Sequence, residues 1–196
     1  MVISGPFAID SLPPVSWKNG GGVTRTLVVE PEGAGLDDFL WRISVAEIHT
    51  SGSFSAFPGV DRTILLWRGE GVVLRSPAWP EHPLTELWQP FSFRGEEDVF
   101  CELLAGPTED LNLMVRCGTS LAAIHAEERE VRLVPPYDDV VVLCAAERVH
   151  VLLADRPTFA LDAGQFLRIS QLDTEVTLLP EGPRASFVYA TVKLLP

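Results

Sequence analysis

Three short stretches of this 196-residue chain concentrate the residue types that could bind or transform a small molecule. In the first, Ser16-Trp17-Lys18-Asn19-Gly20-Gly21-Gly22-Val23-Thr24-Arg25, Asn-Gly is a strong turn signal, because both residues tolerate positive φ. A turn does not by itself require three consecutive glycines between Lys18 and Arg25. Main-chain N–H groups free of side chains can come close to an anion or to another backbone, so a ligand role and a structural role both stay open here.

The second stretch is Phe39-Leu40-Trp41-Arg42-Ile43-Ser44-Val45-Ala46-Glu47-Ile48-His49. Strand alternation puts Trp41, Ile43 and Val45 on one face and Arg42, Ser44 and Ala46 on the other. That pattern suits a strand with one side in a core and the other lining a cup. Taken singly, Arg42 and Glu47 also read as surface charges. The third stretch runs from Gly52 to Thr63, with a Pro58-Gly59 turn followed by Asp61-Arg62 at the start of an apolar strand. A charge pair at the mouth of a barrel strand is well placed to meet a ligand. Arg62 is the preferred anchor for an anion, since a guanidinium fork holds a carboxylate in a fixed direction. The competing reading of Arg62 is an internal ion pair with a nearby carboxylate.

The elements that must position these residues are strands. Sixteen prolines and fifteen glycines punctuate short segments rich in Val, Ile, Leu, Thr and Phe, as in a sandwich or barrel. Only residues 120–130 leave a choice between a short helix and a charged strand. Three echoes recur in the same order about 75 residues apart: 64–74 in 141–153, 84–93 in 159–169, and 99–115 in 176–192. They predict two copies of one antiparallel unit, 1–117 and 118–196, packed as one compact domain. All five tryptophans lie in the first 88 residues, which places the ligand pocket in the first copy and leaves the second mainly structural.

Composition narrows the partners. A net charge of −12 repels a phosphate backbone, so nucleic acid is not expected as a partner. An anionic metabolite requires positive charge supplied locally. No apolar run reaches the ~20 residues of a membrane helix, and the N-terminus lacks the pattern of a secretory signal. Cys101, Cys117 and Cys144 are odd in number, lack CxxC spacing and sit in or beside apolar stretches, which fits a reduced cytoplasmic compartment.

The ordered set WKNGGGVTR, FLWRISVAEI, SGSFSAFPGVDRTILLWRGEG and LLAGPTEDLNLMVR resembles the HutD/Ves family over most of the chain. The resemblance carries over at Trp17, Lys18, Asn19, Gly20, Gly22, Thr24 and Arg25; at Trp41, Arg42, Ser44, Ala46 and Glu47; at Phe54, Phe57, Pro58, Gly59, Asp61 and Arg62; and at Asp110, Asn112, Met114 and Arg116. Thr26 and Ser16 depart from it, where the family more often has an acidic residue and a proline. It implies a double-cupin fold and an accessory or regulatory role in bacterial histidine utilisation. Metal-dependent cupins carry an HxH pair followed by Glu. Here His49, His82, His125 and His150 are isolated, so neither a metal nor any other cofactor is expected.

The expected ligand is a small carboxylated intermediate such as urocanate or a formylglutamate-like acid. Arg62 and Lys18 would hold its charge, with Trp17, Trp41, Phe54 and Phe57 against its apolar part and Asn19, Thr24, Arg25, Arg42, Ser44, Glu47 and Asp61 completing the site. The alternative is an isomerase or hydrolase using Glu47, Asp61 or His49 as general base. A third reading is a structural partner that docks another protein. A homodimer is left open.

Overall fold

A computed structural model describes residues 1–154 and 157–195. In chain order the strands are β1 (Val2–Ala8), β2 (Val15–Ser16), β3 (Gly22–Glu30), β4 (Trp41–Ile48), β5 (Gly52–Ser53), β6 (Val60–Arg68), β7 (Val72–Ser76), β8 (Trp79–Leu84), β9 (Phe91–Arg94), β10 (Phe100–Leu103) and β11 (Thr108–Arg116). They continue as β12 (Ser120–Glu127), β13 (Val131–Leu133), β14 (Asp139–Leu153), β15 (Phe159–Asp162), β16 (Gln165–Ser170) and β17 (Val176–Leu194). One 3-10 turn at Ile9–Ser11 is the single helical element among the described residues. The chain is all-β, as the turn spacing predicts. Residues 120–127 are strand, with Ser120 and Ile124 turned inward.

Two units separate by their contacts. The first is the continuous segment Leu12–Thr119, and the second combines Met1–Ser11 with the chain from Ser120 onward. The first eleven residues therefore belong with the C-terminal unit, not with 1–117. The physical reason is β1, which pairs antiparallel with β16 from Val2↔Ser170 to Ala8↔Gln165.

In the unit Leu12–Thr119, a six-stranded sheet runs β2-β3-β4-β11-β6-β9 and a four-stranded sheet runs β5-β10-β7-β8. Ile48, Ile64, Leu66, Val72, Leu74, Leu84, Phe93, Val99 and Cys101 form one apolar cluster of this unit. The C-terminal unit builds one sheet of order β1-β16-β14-β17-β12, with β13 on β17 and β15 on β14. Its apolar cluster runs from Val140, Val142 and Cys144 to Phe187 and Tyr189, and the polar residues Asp139, Ser186 and Thr191 of this unit are also buried. Along β14 the core residues switch from even to odd positions (Val149, Val151, Leu153) across register shifts between Cys144 and Arg148. An inserted residue with Glu147 at positive φ thus keeps the apolar face turned inward.

The sequence echoes reappear as pairings. β6 pairs β11 and β7 pairs β10 in one unit. In the other, the two halves of β14 pair the two halves of β17.

Candidate ligand-binding site

The inward face of the six-stranded sheet follows from its register. Arg42 and Arg62 both stand opposite Met114, while Ser44 and Ile64 stand opposite Asn112 and Ala46 and Leu66 opposite Asp110. On β3, Thr24 pairs with Ala46 and Thr26 with Ser44. Because side chains alternate faces, all of these project to the same side. The alternation Asp110-x-Asn112-x-Met114 therefore places a carboxyl and an amide on the same side as Arg42, Arg62 and Ser44.

Arg62 is buried, 7% exposed, instead of standing at a cup mouth. Its Nη2 donates to Asn112 Oδ1 at 2.8 Å, and Asn112 Nδ2 donates to Asp110 Oδ1 at 2.9 Å. The rings of Phe54, Phe57 and Phe93 surround the guanidinium at 5.1, 5.7 and 4.9 Å from their centroids, within reach for cation–π attraction. Arg62 Nε is buried and donates to nothing in the protein. A buried donor left unsatisfied costs roughly 1–3 kcal/mol, and more on a charged group, so an acceptor at this atom would be favoured. Loss of solvent pulls the Arg62 pKa down to about 10, with Asp110 opposing and Arg42 adding to the fall, so the group stays cationic at neutral pH.

Asp110 is 2% exposed. Burial lifts its carboxyl to about 7, against the stabilising charge of Arg62 and the hydrogen bond from Asn112. Arg42 is half-buried, donates Nη2 to Thr26 Oγ1 at 2.7 Å, and has its pKa lowered by desolvation. Trp17 Nε1 donates to Thr24 Oγ1 at 2.8 Å. Trp17, Thr24, Thr26 and Arg42 are only partly covered, so they form the solvent-reachable side of a site whose floor is Arg62, Asn112 and Asp110.

Of the residues singled out from sequence, the fold brings Trp17, Thr24, Arg42, Ser44, Phe54, Phe57 and Arg62 to this face. Trp41 is on the opposite face of β4, as its alternation foretold. Arg25, Glu47 and Asp61 also lie on opposite-parity positions, so they turn away from Arg62. Arg25 Nη1 pairs with Glu47 Oε2 at 3.4 Å, and His49 Nε2 meets Glu47 Oε1 at 3.0 Å. The His49 hydrogen bond and then that from Arg25 lower the Glu47 pKa, against desolvation that raises it. Asp61 accepts from Arg94 Nη1 at 2.9 Å. The three candidate bases of the enzyme reading, Glu47, Asp61 and His49, are thus engaged away from the guanidinium face.

Lys18 and Asn19 are exposed on the turn before β3. Asn19 Oδ1 accepts from the Gly21 amide at 3.0 Å, closing the turn, and Gly20 has φ +73°. A Cβ on Gly22 would stand 2.3 Å from the Glu47 carbonyl oxygen. Gly22 is therefore required for close approach of another backbone, β4, and the glycine run has a structural explanation. Sequence reasoning left Asp110 and Asn112 out of the site and missed Phe93 altogether. The same-face spacing of Asp110 and Asn112 within DLNLMV was the available signal.

Among the described residues there is no group of three or more His, Cys, Asp and Glu side chains arranged to hold a metal ion. Nor is any helix among them long and apolar enough to cross a membrane.

The HutD family model matches residues 10–186. The chain belongs to the HutD family. An uncharacterized 21.2 kDa protein in the hutC 3' region of Pseudomonas putida is 35% identical over 170 residues, covering 87% of this chain and 88% of that one. Protein Ves of Citrobacter koseri is 34% identical over 183 residues, covering 89% and 94%. The solved HutD of Pseudomonas fluorescens SBW25 superposes with a TM-score of 0.86 at 28% identity over the full length of both chains. A cupin 2 conserved barrel domain protein of Leptotrichia buccalis has a TM-score of 0.63 at 10% identity, over 98% of each chain. At that identity the likeness speaks for the fold, which is that of the cupins.

Proposed function

We propose that this HutD-family protein is a binding protein of histidine utilisation, acting without a metal on a small carboxylated intermediate, urocanate or a formylglutamate-like acid, in an accessory or regulatory role. The link to histidine utilisation rests on the family and on the hutC neighbourhood named for the Pseudomonas putida relative. The observation that carries the ligand chemistry is the buried Arg62, whose Nε lacks an acceptor while Arg42 shares its face. In a protein of net charge −12, long-range attraction cannot bring an anion in, so short-range guanidinium contacts must supply the affinity. The aromatic rings around Arg62 favour a ligand with a flat or apolar part.

Thermal melts with urocanate and formylglutamate test this directly. A ligand at ~100 times its dissociation constant adds about 2.7 kcal/mol of stability. Arg62→Ala should weaken binding by about 10- to 100-fold, the equivalent of ~1.4–2.8 kcal/mol. Arg62→Lys should restore only part of it, since a point charge cannot reproduce the planar fork. Because Arg62 is buried beside Asp110, Arg62→Ala should also lower the melting temperature of the ligand-free protein. Unchanged affinity in both variants would remove Arg62 from the ligand.

A further inference from the structure

The charged groups on the inward face can be counted. From β6 comes Arg62 and from β4 Arg42, both cationic. From β11 comes Asp110. Arg116 keeps its charge but lies outside this group: it stands beyond Met114, opposite Val60, partly exposed, and donates Nε to the Phe39 carbonyl at 3.0 Å and Nη2 to the Asp37 carbonyl at 2.7 Å. From β10 the buried Cys101 thiol is pushed up to about 12, first by desolvation and then by the charge of Asp110, so it stays neutral. β3 contributes the uncharged hydroxyls of Thr24 and Thr26. With Asp110 ionised, the sum at the site is one positive charge.

We propose that this site is matched to a single negative charge: it takes a monocarboxylate as it stands, and takes a dicarboxylate only together with a proton that settles on Asp110. This rests on the anion-binding reading above and sharpens it. A buried site with an uncompensated charge is costly, and low polarisability of the surroundings makes each imbalance count more than in water. One carboxylate between Arg42 and the vacant Arg62 Nε brings the sum to zero. A second leaves one negative charge in excess, and the group best placed to remove it is the buried Asp110, whose carboxyl already titrates near neutrality. The proton comes from solvent and is returned when the ligand leaves. Asn112 is suited to both states, because its amide holds Asp110 Oδ1 and leaves the other carboxyl oxygen to carry the proton.

The two candidate ligands differ in this respect, urocanate carrying one carboxylate and formylglutamate two. Calorimetry of each at pH 8, in buffers of different ionisation enthalpy, counts the protons exchanged; a free imidazole is neutral at that pH. The expected result is a proton uptake on formylglutamate binding that exceeds that of urocanate by close to one. The formylglutamate affinity should fall by up to about tenfold per pH unit above pH 7, as one linked proton requires. In Asp110→Asn the excess uptake and the steep pH dependence should both vanish. Binding of both ligands with equal proton uptake would overturn the charge-matching proposal and leave the anion-binding reading standing. Failure of either ligand to bind at all, with the fold intact, would end both.

Discussion

The same strand pairing is filled in two different ways in the two units. By the echo of 99–115 in 176–192, Asp110 and Asn112 occupy the positions held by Phe187 and Tyr189 in the C-terminal unit. The ladders agree: Asp110 faces Leu66 and Asn112 faces Ile64, as Phe187 faces Cys144 and Tyr189 faces Val142. Arg62 opposite Met114 corresponds to Val140 opposite Thr191. One unit thus spends these positions on hydrophobic burial, roughly 1.5–3 kcal/mol for each large apolar side chain. The other places a carboxyl, an amide and a guanidinium there, which costs stability unless each is satisfied. The anion proposed above would complete this polar layer, where the other unit has apolar packing.

The largest effect should come from the apolar side of this comparison. Phe187 is fully buried, and Phe187→Ala should lower the unfolding free energy by about 3–5 kcal/mol, measured by urea titration. Should the loss be under 1 kcal/mol, the C-terminal core would not be the stabilising element claimed here.

Next in size is the pH dependence from Asp110. Its folded pKa is raised to about 7 from the usual carboxylate value, so the folded state binds the proton more tightly than the unfolded state. The stability this provides is full below about pH 4 and is lost as pH rises toward 7, at up to ~1.4 kcal/mol per pH unit. Asp110→Asn should lack that component, so the stability difference between variant and wild type should shift in the variant's favour from pH 4 to pH 8. A difference independent of pH would mean that Asp110 is not desolvated as described.

The smallest effect belongs to the exposed ion pair of Arg148 Nε and Asp162 Oδ1, 2.7 Å apart on the surface of the C-terminal unit. Arg148→Ala should leave the melting temperature unchanged within error at moderate salt, because solvent already screens both groups. A large loss there would show that charge, not apolar packing, stabilises this half.

The strands were legible because alternation and Pro/Gly punctuation are local. Alternation also contained information that the site assignment did not use: Asp61 and Arg62 are adjacent in one strand and so cannot share a face, and the same parity rule separates Arg42 and Ser44 from Glu47. What sequence could not give was the depth of Arg62. Of the rings that cover it, Phe54 and Phe57 are close in sequence but fold back over it from the segment after β5, and Phe93 meets it only through the pairing of β9 with β6. Its position after a Pro-Gly turn suggests an exposed strand end. The glycine run misled for a related reason, since the partner it accommodates is β4, more than twenty residues away.

The placement of β1 has a consequence for the order in which the molecule is assembled. Residues 2–8 leave the ribosome more than 150 residues ahead of their pairing partners at 165–170. The uninterrupted segment Leu12–Thr119 has its strand partners within itself and can complete its pairing during synthesis, as domains commonly do. Strand β1, which carries exposed Val2 and Phe7 even in the finished sheet, must wait for its partner until residues 165–170 have been made. Closing so long a loop is entropically slow. Docking of β1 onto β16 is therefore expected to be among the last events of folding.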